Sequence, residues 1–269
     1  MIRPPAVAGQ FYSDNPEELT ALVQQYTREQ NKHEKIRAKA CLVPHAGYMY
    51  SGHVAGAVFS RIALPKKIII LGVRHYPRGE PMAILSAGKW RTPLGDVRID
   101  EDLAKRVFAA CPALREDEVA HSREHSLEVE LPFLQILDPG FTFVPIAVGT
   151  IRFQELVEMG EGLARVLAAS GEDILVVTSS DMNHYEDDER TRWKDRQAID
   201  TMLRVDAAGL YDVCRKESIS MCGLGPAVSM LTMVQKLGVQ QGELVRYATS
   251  GDVAGDRDRV VGYAGMIFT

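Results

Sequence analysis

Lys67-Ile68-Ile69-Ile70-Leu71 has no polar residue after its first position and is dominated by β-branched side chains. A strand with one wet face alternates apolar and polar residues, whereas an uninterrupted apolar run belongs to a strand covered on both faces, the habit of parallel sheets. Lys39-Ala40-Cys41-Leu42-Val43 precedes it with the same character. Met82-Ala83-Ile84-Leu85, Phe141-Thr142-Phe143-Val144-Pro145-Ile146-Ala147-Val148 and Asp173-Ile174-Leu175-Val176-Val177-Thr178 come after it, and Leu244-Val245-Arg246-Tyr247-Ala248 and Val260-Val261-Gly262-Tyr263-Ala264-Gly265-Met266-Ile267 close the chain. Apolar residues recur at helical spacing over 54–62, 101–110, 126–137, 153–169, 190–203, 207–216 and 225–237. Strands alternating with helices predict an α/β fold with a mainly parallel central sheet.

Asp100 and Asp206 stand where helix N-caps belong, Gly171 and Gly238 where helices stop. Pro132 predicts a kink or a first turn in the third helix. The charge run from Glu186 to Arg196 reads as a solvated helix face. No repeat or composition shift divides the chain, so one domain over 1–269 is expected.

With 269 residues, 46% of them hydrophobic and 25% charged, the composition is that of a globular protein. A net charge of −5 with both signs interspersed leaves no basic footprint for nucleic acid. Cys41, Cys111, Cys214 and Cys222 form no CxxC pair and no disulfide framework. The first residues lead into no apolar signal-type region, and no stretch is long enough to cross a bilayer. A soluble, cytoplasmic protein with reduced thiols, without nucleic-acid or membrane partners, is expected.

The chemistry gathers after the strands. Three apolar runs end within a few residues in a histidine: His45 after Cys41-Leu42-Val43-Pro44, His75 after Gly72-Val73-Arg74, and His184 after Ser179-Ser180-Asp181-Met182-Asn183. Ligands of open parallel sheets bind beyond the carboxyl ends of the strands. One such histidine is a weak signal, but three at equivalent places predict a shared crevice. Asp181 suits either an N-cap or a group that orients an imidazole or ligates a metal. Cys222, in Ser220-Met221-Cys222-Gly223-Leu224-Gly225-Pro226, precedes a helix whose N-terminus would favour thiolate, the form that ligates metals or attacks. Cys41 reads as inert packing. His121 and His125 share a face if a helix starts that early, yet the glutamate is wrongly placed for an HExxH zinc helix. His125 and Glu128 remain candidates for lining the crevice, and Ser126 for capping.

RPPAVAGQFY, PHAGYMYSG, IILGVRH, EHSLEVELPFLQ, SSDMNHY, MCGLGP and VGYAG together resemble the Memo family, also called AmmeMemoRadiSam system protein B, in order along nearly the whole chain. The resemblance implies a three-layer αβα sandwich similar to class III (LigB-like) extradiol dioxygenases, which are non-haem iron enzymes. It implies metal ligation by His45, His75 and Cys222, with Asp181 and His184 beside the site. It also implies association with an AMMECR-type protein and a radical-SAM protein, although no cysteine triad for an iron–sulfur cluster is present. The dioxygenases use two histidines and a carboxylate; a thiolate in third place shifts metal preference toward Cu(I), Zn or a differently poised Fe. The usual glycine-proline turn before the second histidine is Gly72-Val73-Arg74 here, and Arg74 either faces the crevice mouth or points to water.

Three functions fit these residues. The first is a dioxygenase-like oxidoreductase with one metal ion, iron before copper or zinc, His184 as general acid or base and Asp181 orienting the site. The second is a non-catalytic crevice that binds a small molecule, an anion or a peptide. The third is a hydrolase with Cys222 as nucleophile and His184 as base.

Overall fold

A computed structural model describes residues 1–28 and 34–269. Its first half runs β1 (Ile2–Arg3), α1 (Pro16–Thr27), β2 (Ala40–Val43), α2 (Tyr48–Phe59), β3 (Lys67–Val73), β4 (Met82–Ile84), β5 (Lys89–Thr92), β6 (Gly95–Ile99), α3 (Glu101–Ala110), β7 (Arg115–Glu116), α4 (Glu118–His121) and α5 (Leu131–Leu137). The second half adds β8 (Thr142–Val148), α6 (Phe153–Ala168), β9 (Ile174–Ser179), β10 (His184–Glu186), α7 (Asp188–Leu203), α8 (Ala207–Lys216), α9 (Leu224–Lys236), β11 (Gly242–Thr249), α10 (Gly251–Ala254) and β12 (Val260–Phe268). No helix among the described residues is long and apolar enough to cross a membrane.

The sheet is mixed but mostly parallel, ordered β1-β5-β6-β8-β3-β9-β2-β12-β10, with β11 on β12 and β4 on β8. At its centre β8, β3, β9 and β2 all run parallel. The connection from β2 to β3 through α2 moves one way across the sheet, and that from β8 to β9 through α6 moves the other. Crossovers share one hand, so opposite directions put α2 and α6 on opposite faces. α9 packs on α6, and α1 and α5 pack beside α2. The central strands are therefore covered on both sides, which is why they are apolar throughout. β12 pairs antiparallel with β2, β11 and β10, closing the parallel core at that edge.

Asp100 and Asp206 cap α3 and α8 as expected, and Gly238 ends α9 with φ +90°. The apolar stretch 126–137 is not one helix: a 3-10 turn at Glu128–Glu130 leads into α5, with Pro132 in its first turn, where its missing N–H costs nothing. α2 starts well before residue 54, because its glycines hide the apolar period. A Cβ on Gly52 would lie 2.5 Å from Tyr26, so α1 and α2 meet through bare backbone. The charge run after Glu186 is not simply solvated. Lys194 and Asp195 are buried, and Asp195 accepts from the Asn183 N–H (2.8 Å) and the Tyr247 hydroxyl (2.7 Å). β1, β5, β6, β7 and β10 are strands too short or too polar to stand out in the sequence.

The N-terminal segment is strapped down by a buried ion pair. Glu128 lines no crevice: it accepts from the Arg3 guanidinium, the Ala6 and Val7 N–H groups and the Tyr12 hydroxyl. Arg3 also donates to the His121 carbonyl at 2.9 Å and the Glu124 carbonyl at 2.6 Å, and lies over the Trp90 ring. Removing one partner of such a pair leaves an uncompensated charge. Glu128→Leu should therefore lower stability by about 3–5 kcal/mol in urea unfolding; a loss below about 1 kcal/mol, the worth of an ordinary net hydrogen bond, would contradict this reading.

His121 ends α4 and does not share a helix face with His125. It is fully buried against Trp90, its ring nitrogens without partners among the described residues. Burial, aided by Arg3, pushes its pKa down from 6.5 to about 4. Between those values the unfolded chain binds a proton that the folded chain refuses, so stability from this residue is complete above about pH 6.5 and is lost as the pH falls toward about 4. His121→Leu should flatten the acid side of the stability profile by up to about 3 kcal/mol. Urea unfolding at a series of pH values checks this, and parallel profiles for the two proteins would contradict it.

Candidate metal centre

Parallel pairing sets β2, β9 and β3 side by side, with Val43 opposite Ser179 and Leu71 opposite Thr178. The loops leaving these three strands therefore emerge at one sheet edge. Pro44-His45 leaves β2, Arg74-His75 leaves β3, and Ser180-Asp181 leaves β9 toward His184 at the start of β10.

His45 is buried. Its N–H donates to Asp181 Oδ1 at 2.8 Å, and its Nδ1 is 2.7 Å from Ser179 Oγ, which donates to Glu130 Oε1 at 2.9 Å. Burial and the neighbouring His75 push its pKa down to about 3, so the ring is neutral. His75 is partly exposed and held by Glu124: its N–H donates to Oε2 at 2.7 Å and its Nδ1 lies 2.9 Å from Oε1. Burial opposes the Glu124 charge, but His75 and the Ser126 N–H outweigh it and hold the carboxyl down at about 2. Ser126 does not cap a helix. Its hydroxyl pairs with both the N–H and the C=O of Val73, at 3.0 Å each, fixing the end of β3.

His125 completes a three-imidazole cluster. It stacks on His75 with ring centroids 4.5 Å apart and meets His45 edge-on at 5.6 Å. One ligand atom from each of His45, His75 and His125 lies within 4.8 Å of the others. Burial, helped by His45, lowers the His125 pKa to about 4 against the pull of Glu124, and its buried Nδ1, 3.7 Å from Glu124 Oε1, makes no hydrogen bond among the described residues. Glu124 accepts from Nδ1 of His75, which leaves Nε2 as the ring atom open to a ligand. Imidazoles held neutral by burial, as His45 and His125 are, are in the state that metal ligation requires.

Cys222 adjoins this cluster through His45: Sγ is 3.2 Å from Nε2 and accepts from the Asp181 N–H at 3.2 Å. Bonds of about 2.0–2.1 Å to nitrogen and 2.3 Å to sulfur permit such a separation within one coordination sphere. Gly223 makes the approach possible, since a Cβ there would lie 2.3 Å from that of Ser180. The expected thiolate is not favoured without a metal: burial and Asp181 push the Cys222 thiol up, outweighing the start of α9. Cys41 is buried and its thiol is also pushed up.

Asp181 is buried and caps no helix, the cap of α7 being Asp187. Burial pushes its carboxyl up against the pull of His184 and the His45 N–H. It ties the β2 loop to the β9 loop. His184 is half-buried, its N–H donating to Ser220 Oγ at 2.8 Å and its Nδ1 lying 2.9 Å from the Ser220 carbonyl. A carbonyl only accepts, so Nδ1 carries the hydrogen and Nε2 is the ring nitrogen left for other contacts. Arg74 bends back to donate to the Gly79 carbonyl at 2.8 Å. Beside His125 a cleft of about 380 Å³ is lined by Gln10, Phe11, Tyr76 and Arg123. A larger one of about 460 Å³, which includes Lys39 and Asp173 at the other ends of β2 and β9, has no His or Cys lining.

Glu124 and Glu130 escape a reading based on motif spacing. All three of Glu124, Glu128 and Glu130 are fully buried, and the one local signal is the alternation of glutamate with apolar residues in Leu127-Glu128-Val129-Glu130-Leu131, which leaves Glu124 unmarked.

Residues 3–267 match the model of the Memo-like protein family. The chain is 43% identical over 268 residues to a MEMO1 family protein of Aquifex aeolicus, covering 99% of both. It is 41% identical over 281 residues to one of Pyrobaculum arsenaticum, again covering 99% of both. The structure of an uncharacterized protein from Escherichia coli K12 has the same fold, with a TM-score of 0.52 at 14% identity over 84% of this chain and 99% of that one. The full-length identities of 41% and 43% to the two MEMO1 family proteins, together with the family match, show that the chain belongs to the Memo family.

Proposed function

We propose that this Memo family chain is a metal-dependent, dioxygenase-like oxidoreductase with one ion at the carboxyl edge of the sheet. The observation that carries it is the His45, His75 and His125 cluster, three imidazoles that each place one ring nitrogen within 4.8 Å of the others. His45 and His75 are its core ligands, with Cys222 against His45 and His125 against His75. Imidazole suits iron, copper and zinc alike, and the thiol widens the choice toward Cu(I) and zinc, so iron stands first only because of the related fold. A bound redox ion supplies electron exchange and Lewis acidity at the crevice.

The chain's own residues supply the rest. Glu124 orients His75, and Ser179 holds His45. Asp181 fixes the His45 backbone through its carboxylate and the Cys222 sulfur through its N–H. His184, its Nδ1 tied to the Ser220 carbonyl, has Nε2 left to serve as acid or base on a substrate that enters the crevice. Hydrolysis by Cys222 is not supported, because its thiol is pushed up rather than down.

Metal analysis of protein prepared without a metal-affinity column is the test. The native chain should hold stoichiometric metal, the His45→Ala/His75→Ala/Cys222→Ser variant should hold none with unchanged circular dichroism, and His125→Ala should bind more weakly. Native protein that stays empty after loading with Fe(II), Cu(I) or Zn(II), or a triple variant that retains metal, would overturn the proposal.

Exposed Met49 in the first turn of α2, Tyr76 on the loop after β3 and Tyr185 in β10 favour a second reading, a crevice that recognises a peptide or small anion without catalysis. Oxygen consumption with catechols or thiols that disappears in Cys222→Ser would rule out binding alone.

A further inference from the structure

His75 and His184 are each held by a group that can only accept, the Glu124 carboxylate and the Ser220 carbonyl. His45 is held differently. Its Nδ1 faces the hydroxyl of Ser179, which can donate or accept and so cannot by itself choose a tautomer. Beyond that hydroxyl stands Glu130. We infer that Ser179 and Glu130 are positioning residues that together set the tautomer of His45 and turn its unprotonated Nε2 toward Cys222 and the other imidazoles.

The geometry is a single file of buried groups. Glu130, Ser179 and His45 are at most 2% exposed, and the two steps of the file measure 2.9 and 2.7 Å. Ser179 has one hydroxyl hydrogen. With that hydrogen on Glu130 Oε1, and with any hydrogen of the raised carboxyl on the other oxygen, Oε2, the serine oxygen must accept from His45 Nδ1–H, which leaves Nε2 as a lone pair 3.2 Å from Cys222 Sγ. A hydrogen on Nε2 would block ligation there, because metal binds the neutral, unprotonated nitrogen. This also gives a reason for a glutamate in a fully buried place, where Oε2 finds no partner among the described residues and an apolar side chain would cost less. Among the described residues Glu130 hydrogen-bonds neither Cys222 nor an imidazole; it acts on them through Ser179.

The consequence for metal binding rests on the function proposed above, whereas the tautomer does not. Two-bond ¹H–¹⁵N correlation spectra of the metal-free, ¹⁵N-histidine-labelled chain, with His45 assigned by its loss in His45→Gln, read the tautomer directly. Native His45 should carry its hydrogen on Nδ1. Ser179→Ala and Glu130→Leu should shift it toward Nε2–H, while Glu130→Gln, which keeps a carbonyl acceptor, should preserve Nδ1–H. Zinc titration should show affinity falling about 10–100-fold in Ser179→Ala, the usual cost of losing such support. If Glu130→Leu does not fold, Ser179→Ala and Glu130→Gln carry the comparison. Native His45 with Nε2–H, or Nδ1–H persisting in Ser179→Ala, would overturn the inference even if zinc binding weakened. A shifted tautomer with unchanged zinc affinity would uphold it and remove His45 from the metal site.

Discussion

Parallel pairing of β9 with β2 on one side and β3 on the other is the constraint on which the site depends. Parallel neighbours end on the same edge, so residues some 30 to 140 positions apart in the chain meet without any long loop reaching across. The register places Val43 beside Ser179, which puts His45 next in line above the Ser179 hydroxyl. Because these strands are covered by helices on both faces, their only open ends are at the edges. Polar chemistry has nowhere else to gather.

The second constraint is electrostatic. Glu124, Glu128 and Glu130 are buried within seven residues of one another, each with a different solution. Glu128 has Arg3, two backbone N–H groups and a tyrosine hydroxyl, and is a structural strap. Glu124 has His75 and the Ser126 N–H and stays charged. Glu130 has one serine, and burial pushes its carboxyl well up. Arg3 connects the first solution to the second, since it donates to the Glu124 carbonyl while paired with Glu128. The N-terminal segment and the His75 support are thereby parts of one packed unit.

Uninterrupted apolar runs such as Lys67 to Leu71 make the central strands legible in the sequence, and the histidines after them make the crevice legible. Features that depend on pairing across long separations stay hidden. Lys89-Trp90-Arg91-Thr92 alternates because only one face of that hairpin strand is buried, and two-residue strands carry no period at all. The stretch 126–137 has helical spacing, yet its first turns are spent on placing Glu128 and Glu130 inward. His125 is visible as a polar residue near the crevice, but its stacking on His75 depends on a loop held by Arg3 and Glu128, which no local pattern encodes. Cys222 stands out before its helix and does lie beside His45, while its charge state follows from burial, a property of the assembled fold.

Anomalous scattering at the iron, copper and zinc edges from crystals of metal-loaded protein tests the proposed metal centre most directly, since it gives element and position together. One peak is predicted within bonding distance of His45 Nε2 and His75, bordered by Cys222 and His125. Loaded crystals with no peak there, or with metal bound only elsewhere on the surface, would contradict it.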